Sequence, residues 1–144
     1  MKSNYLGGMM IGIALFVLRL VLGIIFIAHG AQKLFGSFGG PGISGFAGAL
    51  EHMGVRPARP MAILAGLGEF VGGILMILGF LTPLAALALI AVMIVAIVTV
   101  HLKNGFFATN GGYEFNLALA GIALTLLVVG GGAYSIDSYL GIFW

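Results

Sequence analysis

A chain of 144 residues in which 61% are hydrophobic and only 7% charged cannot cover a water-facing surface with polar groups. Soluble domains carry about 25% charged residues, so the bilayer is the natural solvent here. The formal charge of +2 rests on six Lys/Arg with no basic cluster or stripe, which excludes a nucleic-acid footprint; the lack of cysteine excludes disulfides, thiolate nucleophiles, iron–sulfur clusters built by this chain alone and Cys lipidation.

Four apolar runs follow one another: Ile11–Ala28, continuing toward Phe35, then Met61–Phe80, Leu84–Val100 and Phe115–Val129. They predict an all-α, integral-membrane bundle of four transmembrane helices over about residues 11–35, 59–80, 84–101 and 114–130, because roughly 20 apolar residues span the hydrocarbon. The first run is too long and too charged, with Arg19 inside it, for a cleaved signal peptide, and it reads as a retained helix. Between the first two runs, Ile43, Phe46, Leu50 and Met53 recur at helical spacing, with Glu51 and His52 off the stripe and Gly54 as a stop. This predicts a short amphipathic helix lying in the membrane interface. Leu81, Thr82 and Pro83 alone join runs two and three, which makes them an antiparallel hairpin. A Gly- and Asn-rich stretch, HLKNGFFATNGGYE, joins runs three and four. Gly68 and Gly72 form a GxxxG pair flanked by Gly66, Gly73 and Gly79, and Gly8 and Gly12 form another, so these faces are expected to pack closely.

Lys33, Arg56, Arg59 and Lys103 fall on one side of this topology and Lys2 on the other. The positive-inside rule then places the two long loops in the cytoplasm and both termini outside, with these four side chains as interfacial anchors.

The polar residues inside the apolar runs are the candidates for function. Arg19 lies nine residues from Ala28 and Glu69 eight residues past Met61, so both count to mid-bilayer at nearly one depth. A lone charge there costs roughly 2.5–3.5 kcal/mol, so opposite charges on consecutive helices are expected to pair. The Arg19–Glu69 pair either fixes helix register or lines a site that relays protons. At the loop side, His29, Gln32, His101 and Glu114 form a polar ring of candidate ligand or proton-relay groups. His29 and Gln32 share a broad face with Arg19. Glu114 shares a face with Ala118 and Gly121 and is expected to point into the bundle, or else to serve as a carboxylate at a helix N-terminus. His101 sits on a face directed at lipid headgroups, which argues against a bis-histidine haem. Too few carboxylates stand in helices for a di-iron site. No zinc, phosphate-loop or nucleophile-elbow pattern is present, no metal is expected, and no catalytic residue can be assigned.

The stretches RLVLGIIFIAHGAQKLFG (19–36), LGEFVGGILMILGFLTPLA (67–85), MIVAIVTVHLKNGFF (93–107), GGYEFNLAL (111–119) and AYSID (133–137) together resemble the DoxX family of small bacterial membrane proteins. AYSID departs in one respect, since Gly130, Gly131 and Gly132 precede it where relatives often carry a proline-containing turn. The resemblance implies a single four-helix domain over residues 1–144 in the bacterial inner membrane, with a link to redox chemistry, because relatives look like the quinone-reacting subunit of a thiosulfate:quinone oxidoreductase. The leading expectation is therefore a membrane subunit that binds quinone or a similar amphiphile for a redox partner. Its carbonyl donors would be His29, Gln32 or Arg19, its proton sources Glu69 or Glu114, and the partner would supply the electrons. The alternatives are a non-catalytic accessory subunit docking onto a larger membrane complex and, third, a small-solute transporter, which four helices without an evident repeat disfavour.

Overall fold

The computed structural model describes residues 2–143, and its regular structure is helical. The long helices are α1 (Lys2–Phe35), α3 (Ala58–Leu78), α4 (Thr82–Ala96) and α5 (Glu114–Val129); α2 (Gly42–His52) and α6 (Ile136–Leu140) are short. A π-helical turn, Ile97–His101, extends α4 into a 3₁₀ turn, Leu102–Asn104. Three helical stretches are long and apolar enough to cross a membrane: Tyr5–Phe35, Ala58–Leu78 and Thr82–Asn104. Glu114–Val129 is equally apolar in character but has only 16 residues. The first helix begins at Lys2, well before the expected start near residue 11.

Local chemistry sets the boundaries. Pro57 is extended and precedes α3, and Pro60 falls in the first turn, where a missing N–H breaks no helix bond. Gly79 ends α3 in the left-handed conformation, which glycine adopts without strain, and its N–H returns to Met76 O at 3.2 Å. Leu81 is also left-handed (φ 51, ψ 40), a position that disfavours a side chain, so something must hold it there.

Helices α1 and α3 pack antiparallel and in close contact. A Cβ added to Gly30 would lie 2.6 Å from the Phe70 backbone nitrogen, and one on Gly73 would lie 2.8 Å from the Gly23 carbonyl oxygen. Here glycine is what allows two backbones to touch without a hydrophobic drive. Gly72 instead faces Leu89 of α4, and Gly68 faces Val92, so the GxxxG pair and its flanking glycines serve opposite sides of α3. Gly12 packs on Tyr134, while a Cβ on Gly8 would meet nothing. Leu15, Leu22, Phe26, Met76, Leu89, Met93, Leu119 and Leu126 form the buried core where the long helices meet.

The loop after α1 folds back as α2. Leu50 is buried and Ile43, Phe46 and Met53 are partly buried, while Glu51 and His52 are exposed, so the apolar stripe is the inward face. The bundle thus has a loop end, holding α2 and residues 97–113, and a tail end, holding the α3–α4 turn and α6.

Candidate functional site

Two polar centres lie along α1, one at each end of the bundle. At the tail end Arg19 is 0% exposed. Its guanidinium donates to the carbonyls of Ile77 (3.0 Å), Met76 (3.3 Å) and Tyr134, and it lies 5.5 Å from the centre of the Phe16 ring. Two of those acceptors belong to the last turn of α3, where carbonyls lack helical partners and the dipole favours a cation. Asp137, 1% exposed, does the converse for α4: its carboxylate accepts from the N–H groups of Leu81 (2.7 Å) and Thr82 (2.8 Å). That bond pins Leu81 in its left-handed conformation. The Asp137 N–H donates to Gly79 O at 2.9 Å, and Ser135 caps α6 by accepting from Ser138 N at 3.1 Å. The short turn between α3 and α4 is therefore held by a cation from α1 and an anion from α6.

The expected Arg19–Glu69 pair does not form; Glu69 pairs with Lys33. The reason is the register of the antiparallel helices. Gly30 faces Phe70 and Leu34 faces Gly66, so counting outward sets Ala31 opposite Glu69 and leaves Arg19 beyond the end of α3. At 1.5 Å per residue Arg19 lies about 18 Å from the level of Glu69. Lys33 is close enough to reach across, so it is more than the interfacial anchor expected of it.

Lys33 and Glu69 form the second centre. Glu69 is 1% exposed and Lys33 22%. One carboxylate oxygen takes the ammonium; the other, Oε2, is buried without a hydrogen-bond partner. The ammonium also lies 5.0 Å from the centre of the Phe46 ring of α2, within range of a cation–π contact. Beside it opens a cavity of about 580 Å³ bounded by α2, α3, α4 and the π-helical turn. Its lining is apolar except for Lys33, Thr99 and His101, and the Thr99 hydroxyl donates to Val95 O at 2.7 Å.

The other candidates fall elsewhere. His29 is exposed and lies beside Phe115 of α5 (ring centres 6.4 Å apart), so it shares no site with buried Arg19. Gln32 is partly buried beneath Gly40. Glu114 does not point into the bundle: Ala118 and Gly121, on its face, are exposed, and the inward residues of α5 are Asn116, Leu119, Ala123 and Leu126. Its carboxylate instead accepts from Ala108 N at 2.7 Å and stitches the loop before α5. His101 was expected to face headgroups, yet it lines the cavity and places Nδ1 2.7 Å from Gly111 O. Arg56, Arg59 and Lys103 are exposed at the loop end, where Arg56 makes a 3.7 Å surface contact with Glu51. Among the described residues no three His, Asp or Glu side chains group closely enough to hold a metal ion.

Sequence reasoning passed over Asp137 and Phe46. Asp137 had a signal, an acidic residue inside AYSID just after a serine cap, but nothing in spacing ties residue 137 to residue 82. Phe46 was read only as one member of an apolar stripe.

Long apolar helices, glycine-mediated helix contact and charges buried at mid-helix with partners inside the bundle define an α-helical integral membrane protein. It belongs to the DoxX family, whose model matches residues 14–102. It is 32% identical over 136 residues to the inner membrane protein YqjF of Escherichia coli, covering 92% of this chain and 95% of that one. It is 30% identical over 111 residues to a Bacillus subtilis protein named "Putative oxidoreductase CatD", covering 76% and 75% of the two chains. An uncharacterized membrane protein of Mycobacterium tuberculosis is 31% identical over 134 residues, covering 85% of this chain and 78% of its own. No solved structure matches.

Proposed function

We propose that this DoxX protein binds a quinone or a similar amphiphile in the cavity beside Lys33, as the membrane subunit of a redox-linked complex. The observation that carries the reading is a large apolar cavity with an ammonium in its wall, backed by a buried carboxylate that still has a free oxygen. Apolar pockets with a few placed polar groups are the usual form of small-molecule sites. A quinone carbonyl would accept a hydrogen bond from Lys33, with His101 as a second polar contact on the cavity wall. Reduction adds a pair of electrons and a pair of protons to the ring. The electrons come from a partner protein, and Lys33 and Glu69 pass protons to the ring oxygens and regain them from water at the loop end. The π-helical turn beside the cavity fits this reading, since such turns are frequent at functional sites.

The same reading places the chain in the bacterial inner membrane, as the name of the Escherichia coli relative suggests. It takes α5 as a fourth crossing with help from flanking residues and sets both termini outside, on the count of Lys33, Arg56, Arg59 and Lys103 against Lys2. A second reading, an accessory subunit without chemistry, draws on the start of α1, where residues Tyr5 to Ile11 are all exposed and apolar or small.

Quinone titration of the purified protein, set against Lys33→Ala and Glu69→Gln, tests the proposal. Saturable binding by the native protein that weakens in both variants is expected. Equal, non-saturable uptake by all three would leave only the accessory reading.

A further inference from the structure

The cavity beside Lys33 does not end at its own walls. A second, shallower groove of about 350 Å³ shares Leu64, Gly68 and Ala88 with it. The groove runs between α3 and α4 past Gly72 and Ala85 and reaches Leu81 at the tail end. From Leu64 to Leu75 along α3 this path covers about 16 Å. It is apolar throughout, and its floor is small residues.

Gly68 lies at the junction of the two spaces. A Cβ on Gly68 would meet Val92 at 3.5 Å, an ordinary contact, whereas one on Gly72 would press on Leu89 at 3.0 Å. Close approach of α4 therefore explains Gly72 but does not require glycine at 68. Gly68 borders both the cavity and the groove, so a large side chain there would stand between them. The single cation of this space stands at its loop end, in Lys33, so the occupant has one polar head and one apolar extension.

We infer that the ligand of this site is a single-tailed amphiphile, its electron-rich head at Lys33 and its isoprenoid or alkyl tail lying in the groove between α3 and α4 through the gap left by Gly68. This rests on the preceding reading of the cavity and adds to it the shape of the ligand. It predicts that the tail contributes to affinity and that blocking the groove abolishes that contribution while sparing the head.

The test uses the full chain in detergent, a decyl-tailed benzoquinone and its tail-less parent, and two variants that fill the groove away from the cavity, Val71→Trp and Leu84→Trp. Thermal midpoints identify variants that remain folded. Val71 and Leu84 are exposed and border the groove but not the cavity, so each tolerates a larger side chain and leaves the head site untouched. The tailed quinone should bind the native protein at least about tenfold more tightly than the tail-less one, as several buried methylenes imply. In a folded groove variant the two should bind alike, at the tail-less affinity. Equal affinities in the native protein, or a preference for the tail that survives both variants, would overturn the inference while leaving the head site standing; a phospholipid chain or a helix of a second copy in the groove would give that result. No binding of either quinone would overturn both.

Discussion

Arg19 and Lys33 are two cations on one helix, and they have opposite fates. Arg19 is sealed from solvent and donates to three backbone carbonyls. Lys33 is partly open, shares a carboxylate that keeps an unpaired oxygen, and borders a cavity. A guanidinium with its planar fork can satisfy several carbonyls at once and cannot lose its proton in a protein, which suits it to holding backbone together. An ammonium is a compact point charge on a flexible stem, which suits it to meeting one carboxylate while turning its remaining donors to a cavity. Each centre leaves one buried atom unpartnered, Arg19 Nε and Glu69 Oε2, so the difference teaches that a charge inside a membrane protein is better judged by what borders it, packed backbone or open cavity, than by how deeply it is buried.

The sharpest way to break the comparison is Arg19→Leu. Carbonyls of Met76, Ile77 and Tyr134 would lose their shared donor in a dry interior, and a loss of about 3–5 kcal/mol is expected, read as a collapse of the denaturation midpoint in detergent. Arg19→Lys should recover only part of this, because one ammonium cannot span the three acceptors. Next comes Lys33→Met, which strands Glu69. Lys33 is 22% exposed, so water can enter beside the stranded carboxylate and the stability loss should be smaller, about 1–3 kcal/mol, while quinone binding disappears. Lys33→Met with Glu69→Met should restore stability without restoring binding, since removing both partners leaves no uncompensated group. A double variant that binds normally would move function away from this pair. The smallest effect is expected of Glu114→Ala, which frees the Ala108 N–H of an exposed loop. It should cost roughly 0.5–1 kcal/mol and show as faster amide exchange across residues 105–112, with binding intact.

Much of the helical plan was legible. The apolar runs mark α3, α4 and α5, and the Ile43–Phe46–Leu50–Met53 stripe marks α2, because burial follows periodicity. The ion pairing was not legible. Depth was counted from the ends of apolar runs, yet α1 continues to Phe35 and starts at Lys2, so those ends were not the ends of the helix. What sets the register is the contact of Gly30 with Phe70 and of Gly23 with Gly73, and no composition rule says which glycine meets which backbone. The site reading of His29 and the inward reading of Glu114 failed for a related reason, while the alternative for Glu114, a carboxylate in the first turn of a helix, holds. A face defined on one helical wheel says nothing about whether a neighbouring helix is there to cover it. Asp137 escaped because its partners are 55 and 56 residues earlier.

That separation also bears on the order of synthesis. The turn between α3 and α4 leaves the ribosome well before residue 137 exists, and until then the amides of Leu81 and Thr82 lack the carboxylate that later receives them. Arg19 is made first and waits for the end of α3; Asp137 is made after every long helix. The hairpin must therefore remain near water, or in the hands of the insertion machinery, until the segment around residue 137 arrives, and only then can its turn be shut away from solvent.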